Sequence, residues 1–125
     1  MIGYVTVGTN NIDKAAAFYD KVLGALGAKR AWEMDRLITW ASAPNTPMMA
    51  VCKPYDGQPA TVGNGVMVSL MAGSPDGVKA VYDAALAAGG TDEGAPGPRG
   101  DSGFHGAYFR DLDGNKICAF CFAKA

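Results

Sequence analysis

The sequence repeats itself once, and this repeat limits the folds open to the chain more than any other feature. Residues 4–27 align with residues 67–90 at an offset of 63, with eight identities where chance predicts about two. The identical pairs are Val5/Val68, Asp13/Asp76, Ala17/Ala80, Tyr19/Tyr82, Asp20/Asp83, Leu23/Leu86, Ala25/Ala88 and Gly27/Gly90. We therefore predict one domain made of two similar modules, about 1–56 and about 63–125.

Each copy opens with the same local pattern. A short β-prone run, at residues 4–7 and again at 67–70, leads into a segment whose apolar residues recur at helical spacing. Residues that can cap or end a helix flank both segments: Asn10 or Asn11 and Gly27 in the first copy, Ser74-Pro75 and Gly89-Gly90 in the second. The pattern predicts a strand followed by a helix in each module.

Strand-like segments follow both predicted helices. They cover 28–33, 36–41 and 47–53 in the first copy and 104–110 and 116–123 in the second, where a Gly/Pro-rich stretch from Gly94 to Gly103 precedes them. The Asp-Gly and Gly-Asn dipeptides of residues 111–115 predict a hairpin turn. The predicted fold class is α+β: two duplicated βαβββ modules forming one half-open curved β-barrel with the helices outside. The crevice between such halves is the expected ligand site.

Composition excludes several classes of protein. The chain is 49% hydrophobic and 18% charged, which is too apolar for intrinsic disorder. Eleven basic and twelve acidic residues give a net charge of −1, so we expect neither nucleic acid nor a membrane among its partners. No signal peptide or membrane span is predicted. Three cysteines do not suit a disulfide framework, and we expect a cytoplasmic location.

Three segments together resemble a known family. They are Ala17-Phe18-Tyr19, Gly63-Asn64-Gly65-Val66-Met67-Val68 and Gly106-Ala107-Tyr108-Phe109-Arg110-Asp111-Leu112-Asp113-Gly114-Asn115-Lys116. With the repeat, they make the whole chain similar to the vicinal oxygen chelate superfamily. That superfamily includes glyoxalase I, bleomycin- and fosfomycin-resistance proteins, extradiol dioxygenases and methylmalonyl-CoA epimerase. The resemblance implies the duplicated βαβββ fold and a homodimer, which is common among its short members.

The resemblance also implies a place for a metal. In metal-dependent members, histidines and glutamates from the first and last strands of both modules hold a divalent ion in the crevice. The corresponding positions here are Tyr4, Met67 and Cys118, with Cys52 as the counterpart on strand 48–53. Tyrosine, thioether and thiols are poor ligands for Mn, Fe, Ni or Mg. We therefore expect no metal and no cofactor, with Cu(I) held by Met67 and the two thiols as the alternative.

Two charged or titratable residues are candidates for other roles. His105, the single histidine, is the one side chain with an ordinary pKa near neutrality, so it is a weak candidate for acid–base catalysis and otherwise a structural residue. Strand alternation leaves open which face of 104–110 carries it into the crevice. Arg99 follows the Gly/Pro-rich stretch and would either bind a carboxylate or phosphate or face solvent.

Aromatic and sulfur-bearing residues complete the expected crevice, although some of them would equally suit the barrel core or a dimer contact. The expected ligand-binding residues are Tyr4, Trp40, Cys52, Met67, Arg99, His105, Tyr108, Cys118 and Phe120. Such a lining suits a flat or apolar small molecule.

Three functions remain open after this reading. The first is a protein that binds an apolar or aromatic small molecule without the family's metal. The second is a glyoxalase- or dioxygenase-like lyase, isomerase or oxygenase with an altered active site, and the third is a non-catalytic dimerisation module. The four replaced ligand positions favour the first, and the sequence does not decide whether any reaction is catalysed.

Overall fold

The repeat predicted from sequence organises the whole fold. A computed structural model describes residues 1–123. The elements, in chain order, are β1 (Tyr4–Gly8), α1 (Ile12–Gly24), β2 (Lys29–Glu33), β3 (Leu37–Ala41), β4 (Met48–Cys52), β5 (Val68–Met71), α2 (Pro75–Ala87), β6 (Thr91–Pro98), β7 (Phe104–Arg110) and β8 (Lys116–Phe122). Both ends of α2 lie 63 residues after the ends of α1, the offset of the sequence repeat. The predicted βαβββ duplication is confirmed.

The strands form two curved four-stranded sheets. Sheet A has the order β1-β4-β3-β2 and sheet B the matching order β5-β8-β7-β6. β1 runs parallel to β4, and β5 runs parallel to β8. The other hydrogen-bonded neighbours are antiparallel. This topology confirms the predicted fold class, with the eight strands divided between two sheets that are not hydrogen-bonded to each other.

The ends of both helices follow from local side-chain chemistry. Asn11 caps α1, because its Oδ1 accepts a hydrogen bond from the Lys14 N–H at 3.1 Å. Ser74 caps α2 in the same way, with its Oγ 3.0 Å from the Gly77 nitrogen. Gly27, at φ 78°, follows α1 in the left-handed conformation that the sequence predicted.

β6 is the strand that the sequence did not locate, although the predicted βαβββ plan requires three strands after α2. The sequence assigned residues 94–103 to a Gly/Pro-rich stretch, yet residues 91–98 pair with β7 along the edge of sheet B. Proline is tolerated on an edge strand because no partner needs its missing N–H. Register shifts between Asp92 and Gly97 accommodate the irregular sequence.

One hydrophobic core joins the two modules. α1 contacts α2, and a single cluster of buried residues takes members from both sheets and both helices. Phe18 on α1 packs against Phe109 of sheet B with ring centroids 6.5 Å apart, while the neighbouring Tyr19 packs against Trp40 of sheet A at 5.9 Å. One face of each sheet therefore covers the shared core, and the other, called here the outer face, points away from it.

The turn between β7 and β8 ties the second module to the first. The buried Asp111 accepts a hydrogen bond from the Tyr19 hydroxyl at 2.6 Å and others from the backbone N–H groups of Asp113 and Asn115 at 2.9 Å. The Asn115 amide in turn donates to the Gly8 carbonyl at 2.9 Å. Burial, followed by the Asp111 charge, raises the pKa of Tyr19 well above its usual value. The Asp-x-Asp-Gly-Asn segment thus acts as a joint between modules.

No helix within residues 1–123 is both long enough and apolar enough to cross a bilayer.

Candidate functional site

Strand register divides the nine candidate residues among three places. Tyr4 and Cys52 lie on the outer face of sheet A, since they alternate with the core-facing Val5 and Val51. Tyr108, Cys118 and Phe120 lie on the outer face of sheet B, Arg99 folds over that face, and Met67 immediately precedes β5. Trp40 and His105 lie on the core-side faces.

The sheets separate the last two residues from the candidates on the outer faces. Trp40 is 2% exposed, and its Nε1–H donates to Asp20 on α1 at 3.0 Å. The His105 side chain points to the face of β7 opposite Tyr108. It shares that face with the buried Ala107 and Phe109. The expectation that His105 and Trp40 line one crevice with Tyr108 is therefore corrected by the register, which places sheet backbone between them.

On the outer face of sheet A, three small side chains form a floor beneath a pair of aromatic rings. Thr6, Ala50 and Thr39 lie side by side across three strands. Tyr4 and Trp32, from the opposite edge strands β1 and β2, meet edge to face with ring centroids 6.1 Å apart. Both rings are about half exposed, at 50% and 48%. Sequence alternation did not select Trp32, because a register shift between Arg30 and Glu33 changes the direction of the side chains in β2.

The outer face of sheet B has large side chains instead. Phe104 stacks on Phe120 with centroids 5.6 Å apart, and Phe122 contacts both rings edge to face at 5.7 and 6.2 Å. The next outer-face pair along these strands is Tyr108 and Cys118. This face therefore presents a continuous aromatic surface that neither helix covers.

The Cys118 thiol is kept in its protonated form. Burial raises its pKa, and this effect exceeds the opposing influence of the Ser69 and Tyr108 hydroxyls and of the nearby Arg99 and Lys116 charges. Because the thiolate is the form that binds metal ions and attacks electrophiles, Cys118 acts mainly as a small apolar side chain at neutral pH.

The residues at the family's metal positions do not fit a divalent ion. Tyr4 pairs with Met48 and Cys52 with Gly8, so these two side chains lie four residues, or about 13 Å, apart along sheet A. The repeat sharpens this point, because Ser69 pairs with Cys118 whereas its counterpart Thr6 pairs with Ala50. The register therefore makes Ala50, and not Cys52, the first-module equivalent of Cys118. The alanine side chain has no atom that could bind a metal ion.

Within residues 1–123, no three His, Cys, Asp or Glu side chains lie close enough together to hold a metal ion.

Two open cavities border the second module. One, of about 540 Å³, is an apolar groove between the modules, lined by the end of α1, the start of β4 and the free edge of β5, and it includes Trp40 and Met67. The other, of about 520 Å³, lies where the linker 62–67 approaches Arg110 and Lys116 on the outer face of sheet B. Both volumes are in the range of small-molecule sites.

Comparison with known proteins identifies the fold. The Glyoxalase/Bleomycin resistance protein/Dioxygenase superfamily model matches residues 1–119. A glyoxalase/bleomycin resistance protein from Albidiferax ferrireducens is 38% identical, with a TM-score of 0.87 over 96% of this chain and 97% of that one. No curated protein matches the sequence.

More distant structures share the fold alone. One is a glyoxalase/bleomycin resistance protein/dioxygenase family enzyme from Burkholderia phytofirmans, 16% identical, with a TM-score of 0.76 over 96% of this chain and 97% of that one. Another is a lactoylglutathione lyase from Agrobacterium tumefaciens, 18% identical, with a TM-score of 0.69 over 96% of this chain and 92% of that one.

Proposed function

The chain belongs to the glyoxalase/bleomycin resistance protein/dioxygenase superfamily, and we propose that it binds an apolar or aromatic small molecule without the divalent metal of its metal-dependent members. The observation that carries this proposal is the pair of outer faces. Aromatic side chains line both faces, while the positions of the family's metal ligands hold a phenol, a thioether, a thiol and an alanine methyl in place of imidazole and carboxylate. Aromatic rings bind flat apolar molecules through large contact areas and preferred ring geometries.

We further propose that the protein is a homodimer whose crevice needs both copies. The edge strands β2 and β6 are protected by charged residues or prolines, whereas β1 and β5 are not. Large apolar side chains cluster beside those two open edges, with exposed fractions of 50% at Tyr4, 42% at Met67 and 80% at Met71. An open strand edge with exposed apolar neighbours is a natural site for pairing with another chain.

The two open edges complement each other in a symmetric pair. If β1 of one copy lies beside β5 of the second, a twofold axis generates the same contact again and leaves no edge of this kind free. Sheet A of one copy would then continue into sheet B of the other. The two outer faces would form one half-open barrel around the ligand, which explains why one chain divides the candidate residues between two faces.

We also propose a reducing, cytoplasmic location. Cys52, Cys118 and Cys121 are all free thiols in the fold, as is usual where disulfides do not persist.

A thermal-shift experiment tests the ligand proposal. N-phenyl-1-naphthylamine, a neutral aromatic probe, is expected to raise Tm, since a ligand that binds only the folded state stabilises it by about 2.7 kcal/mol at a hundred times Kd. EDTA should leave Tm unchanged in protein purified without a metal-affinity tag. A fall in Tm with EDTA, or stoichiometric bound metal, would contradict the proposal.

Two aromatic substitutions test whether the probe binds on the outer face of sheet B. Phe120→Ala removes a ring from the aromatic surface and should reduce the shift, whereas Tyr55→Ala removes a ring that is 90% exposed on the linker and should not. Equal shifts in both variants would mean that the probe binds elsewhere.

Sedimentation analysis tests the dimer. The wild-type protein is expected to sediment as two 12.9 kDa chains. Met71→Lys puts a charge at the open β5 edge and should give monomers. Met34→Lys, which charges a residue 55% exposed in the turn after β2, should leave the dimer intact. A monomeric wild type, or a dimer that survives Met71→Lys, would rule out this interface.

A further inference from the structure

Arg99, the residue after β6, is held by backbone carbonyls on the outer face of sheet B. These carbonyls and the glycines beside them are called here the Arg99 seat. The Arg99 Nη1 donates to the Gly97 carbonyl at 2.8 Å and to the Pro98 carbonyl at 3.3 Å, and Nη2 donates to the Ala95 carbonyl at 2.7 Å. Three backbone carbonyls therefore fix the guanidinium plane, and the Nε–H is left without a hydrogen-bond partner in the described part of the chain.

Two glycines make room for this seat. A Cβ added at Gly94 would lie 3.3 Å from the Arg99 Nη2 and 3.0 Å from Tyr108 Cδ2, and one at Gly97 would lie 3.3 Å from Nη1. All three distances are tighter than ordinary Cβ contacts, so a larger residue at either position would displace the neighbouring side chain by a few tenths of an ångström. The space that Arg99 needs thus explains the two glycines of residues 94–99, which composition alone did not reveal.

A second cation lies on the same aromatic ring. The Lys116 ammonium and the Arg99 guanidinium carbon are each 5.5 Å from the centroid of the Tyr108 ring. Neither cation has a carboxylate within 4.0 Å among residues 1–123, whereas the nearby Arg110 is paired with Glu93 at 2.9 Å. Two half-buried positive charges therefore lie on one ring, and neither forms a salt bridge among residues 1–123.

Polar and apolar features are arranged in order along the strands. Tyr108 faces Cys118 in the sheet register, and the next outer-face pair, about 7 Å further along, is Gly106 and Phe120. Because Gly106 has no side chain, the ring of Phe104 closes over its position, 2.8 Å from where a Cβ would lie, and stacks on Phe120. A cationic end and an aromatic end thus lie within the length of one small molecule.

We propose that this face binds an amphiphilic anion, with its acidic group between Arg99 and Lys116 and its aromatic or apolar body on Phe104 and Phe120. This proposal rests on the proposed function and adds the charge of the ligand to it. Carboxylate, sulfonate and phosphate groups share the required chemistry, since each accepts charge-assisted hydrogen bonds from guanidinium and ammonium groups. Half-burial of both cations strengthens the attraction relative to fully hydrated charges.

A pair of fluorescent probes separates the two proposals. 1-Anilinonaphthalene-8-sulfonate is the anionic counterpart of the neutral N-phenyl-1-naphthylamine. Arg99→Gln and Lys116→Gln should each weaken binding of the sulfonate about tenfold, the effect of one charge-assisted contact, and change the Kd of the neutral probe less than about twofold. Lys14→Gln, which removes an exposed charge on α1, should change neither.

The outcomes distinguish the anion site from the proposed function. If both probes bind and neither substitution changes the sulfonate affinity, or if both affinities fall equally, the anion site is overturned while the apolar crevice stands. If neither probe binds the wild-type protein, both proposals fail. Should Arg99→Gln lose its circular dichroism spectrum because the seat unfolds, Lys116→Gln carries the test, since its side chain makes no hydrogen bond in the described fold.

Competition identifies the acidic group. 1-Naphthoate and 1-naphthyl phosphate are both expected to displace the sulfonate probe, and the stronger competitor gives the preferred anion. Displacement by neither, at concentrations where the neutral probe competes, would contradict the anion site.

Discussion

The two modules have the same backbone plan but use their matching residues differently. Tyr19 and Tyr82 are repeat partners on equivalent helices, yet Tyr19 reaches across to Asp111 of the other module whereas Tyr82 bonds to Asp92 within its own. The outer faces differ in the same way, with a small uncharged floor in sheet A and an aromatic and cationic surface in sheet B. The two modules thus share a backbone plan, while the turn that joins them and the cationic aromatic surface belong to the second module.

The largest expected effect comes from breaking the joint formed by the turn between β7 and β8, which belongs to the second module. Asp111→Ala leaves the buried Tyr19 hydroxyl without its acceptor, removes one of the two acceptors of the Asn115 amide and should lower the free energy of unfolding by about 3 kcal/mol. In the equivalent turn of the first module, Thr46→Ala removes a single exposed bond to the Ala43 carbonyl and should cost less than about 1 kcal/mol. Urea unfolding of both variants measures the difference, and equal losses would contradict the asymmetry.

The two repeat-related tyrosines give a closer comparison. Tyr19→Phe removes a buried hydrogen bond to a carboxylate and should cost about 2 kcal/mol, whereas Tyr82→Phe removes a part-exposed one and should cost about 1 kcal/mol or less. Both substitutions leave the ring in place, so packing is controlled. A Tyr82→Phe loss as large as that of Tyr19→Phe would show that the joint adds nothing beyond a local hydrogen bond.

The smallest effect compares the repeat-related aspartates. Asp20 accepts two hydrogen bonds from Arg30 and one from Trp40, and the Arg30 contacts hold the pKa of Asp20 below its usual value. Because the carboxyl is part exposed, Asp20→Asn should cost about 0.5–1 kcal/mol at pH 7, and Asp83→Asn, which breaks a helical pair with Lys79, about half as much or less.

The pH dependence of that loss has a defined sign. A lowered folded-state pKa contributes stability above the unfolded-state value of about 3.9, and the contribution disappears as pH falls through the lowered pKa. The stability difference between wild type and Asp20→Asn should therefore be constant near neutrality and shrink below about pH 4. A difference that grows on acidification would contradict the role given to Asp20.

The sequence predicted most of the fold because the repeat and the helix caps are local signals. The starts of α1 and α2 followed from apolar spacing together with the predicted caps, Asn10 or Asn11 and Ser74, of which Asn11 and Ser74 are the caps observed. β6 was missed because proline and glycine usually mark loops, and only its edge position, a property of the whole sheet, allows them in a strand. Local patterns do not contain that information.

The site was less predictable, for a geometric reason. Alternation did not say which face of β7 covers the core, and so His105 and Tyr108, which lie on opposite faces, were both kept as crevice candidates. The Arg99 seat also escaped the sequence, since it depends on carbonyls and glycines brought together by the pairing of β6 with β7. Residue types predict what a site can do, while register decides which residues meet.

The central claim is that the crevice binds an aromatic molecule without a metal ion. Titration of N-phenyl-1-naphthylamine into EDTA-treated protein, repeated after adding back Mn²⁺, Fe²⁺, Ni²⁺ or Mg²⁺, measures this directly. The account predicts saturable binding with the same Kd, within about twofold, in every sample, because Tyr4, Ala50, Met67 and Cys118 offer neither imidazole nor carboxylate at the family's ligand positions. Binding that appears only after a metal is restored would contradict it.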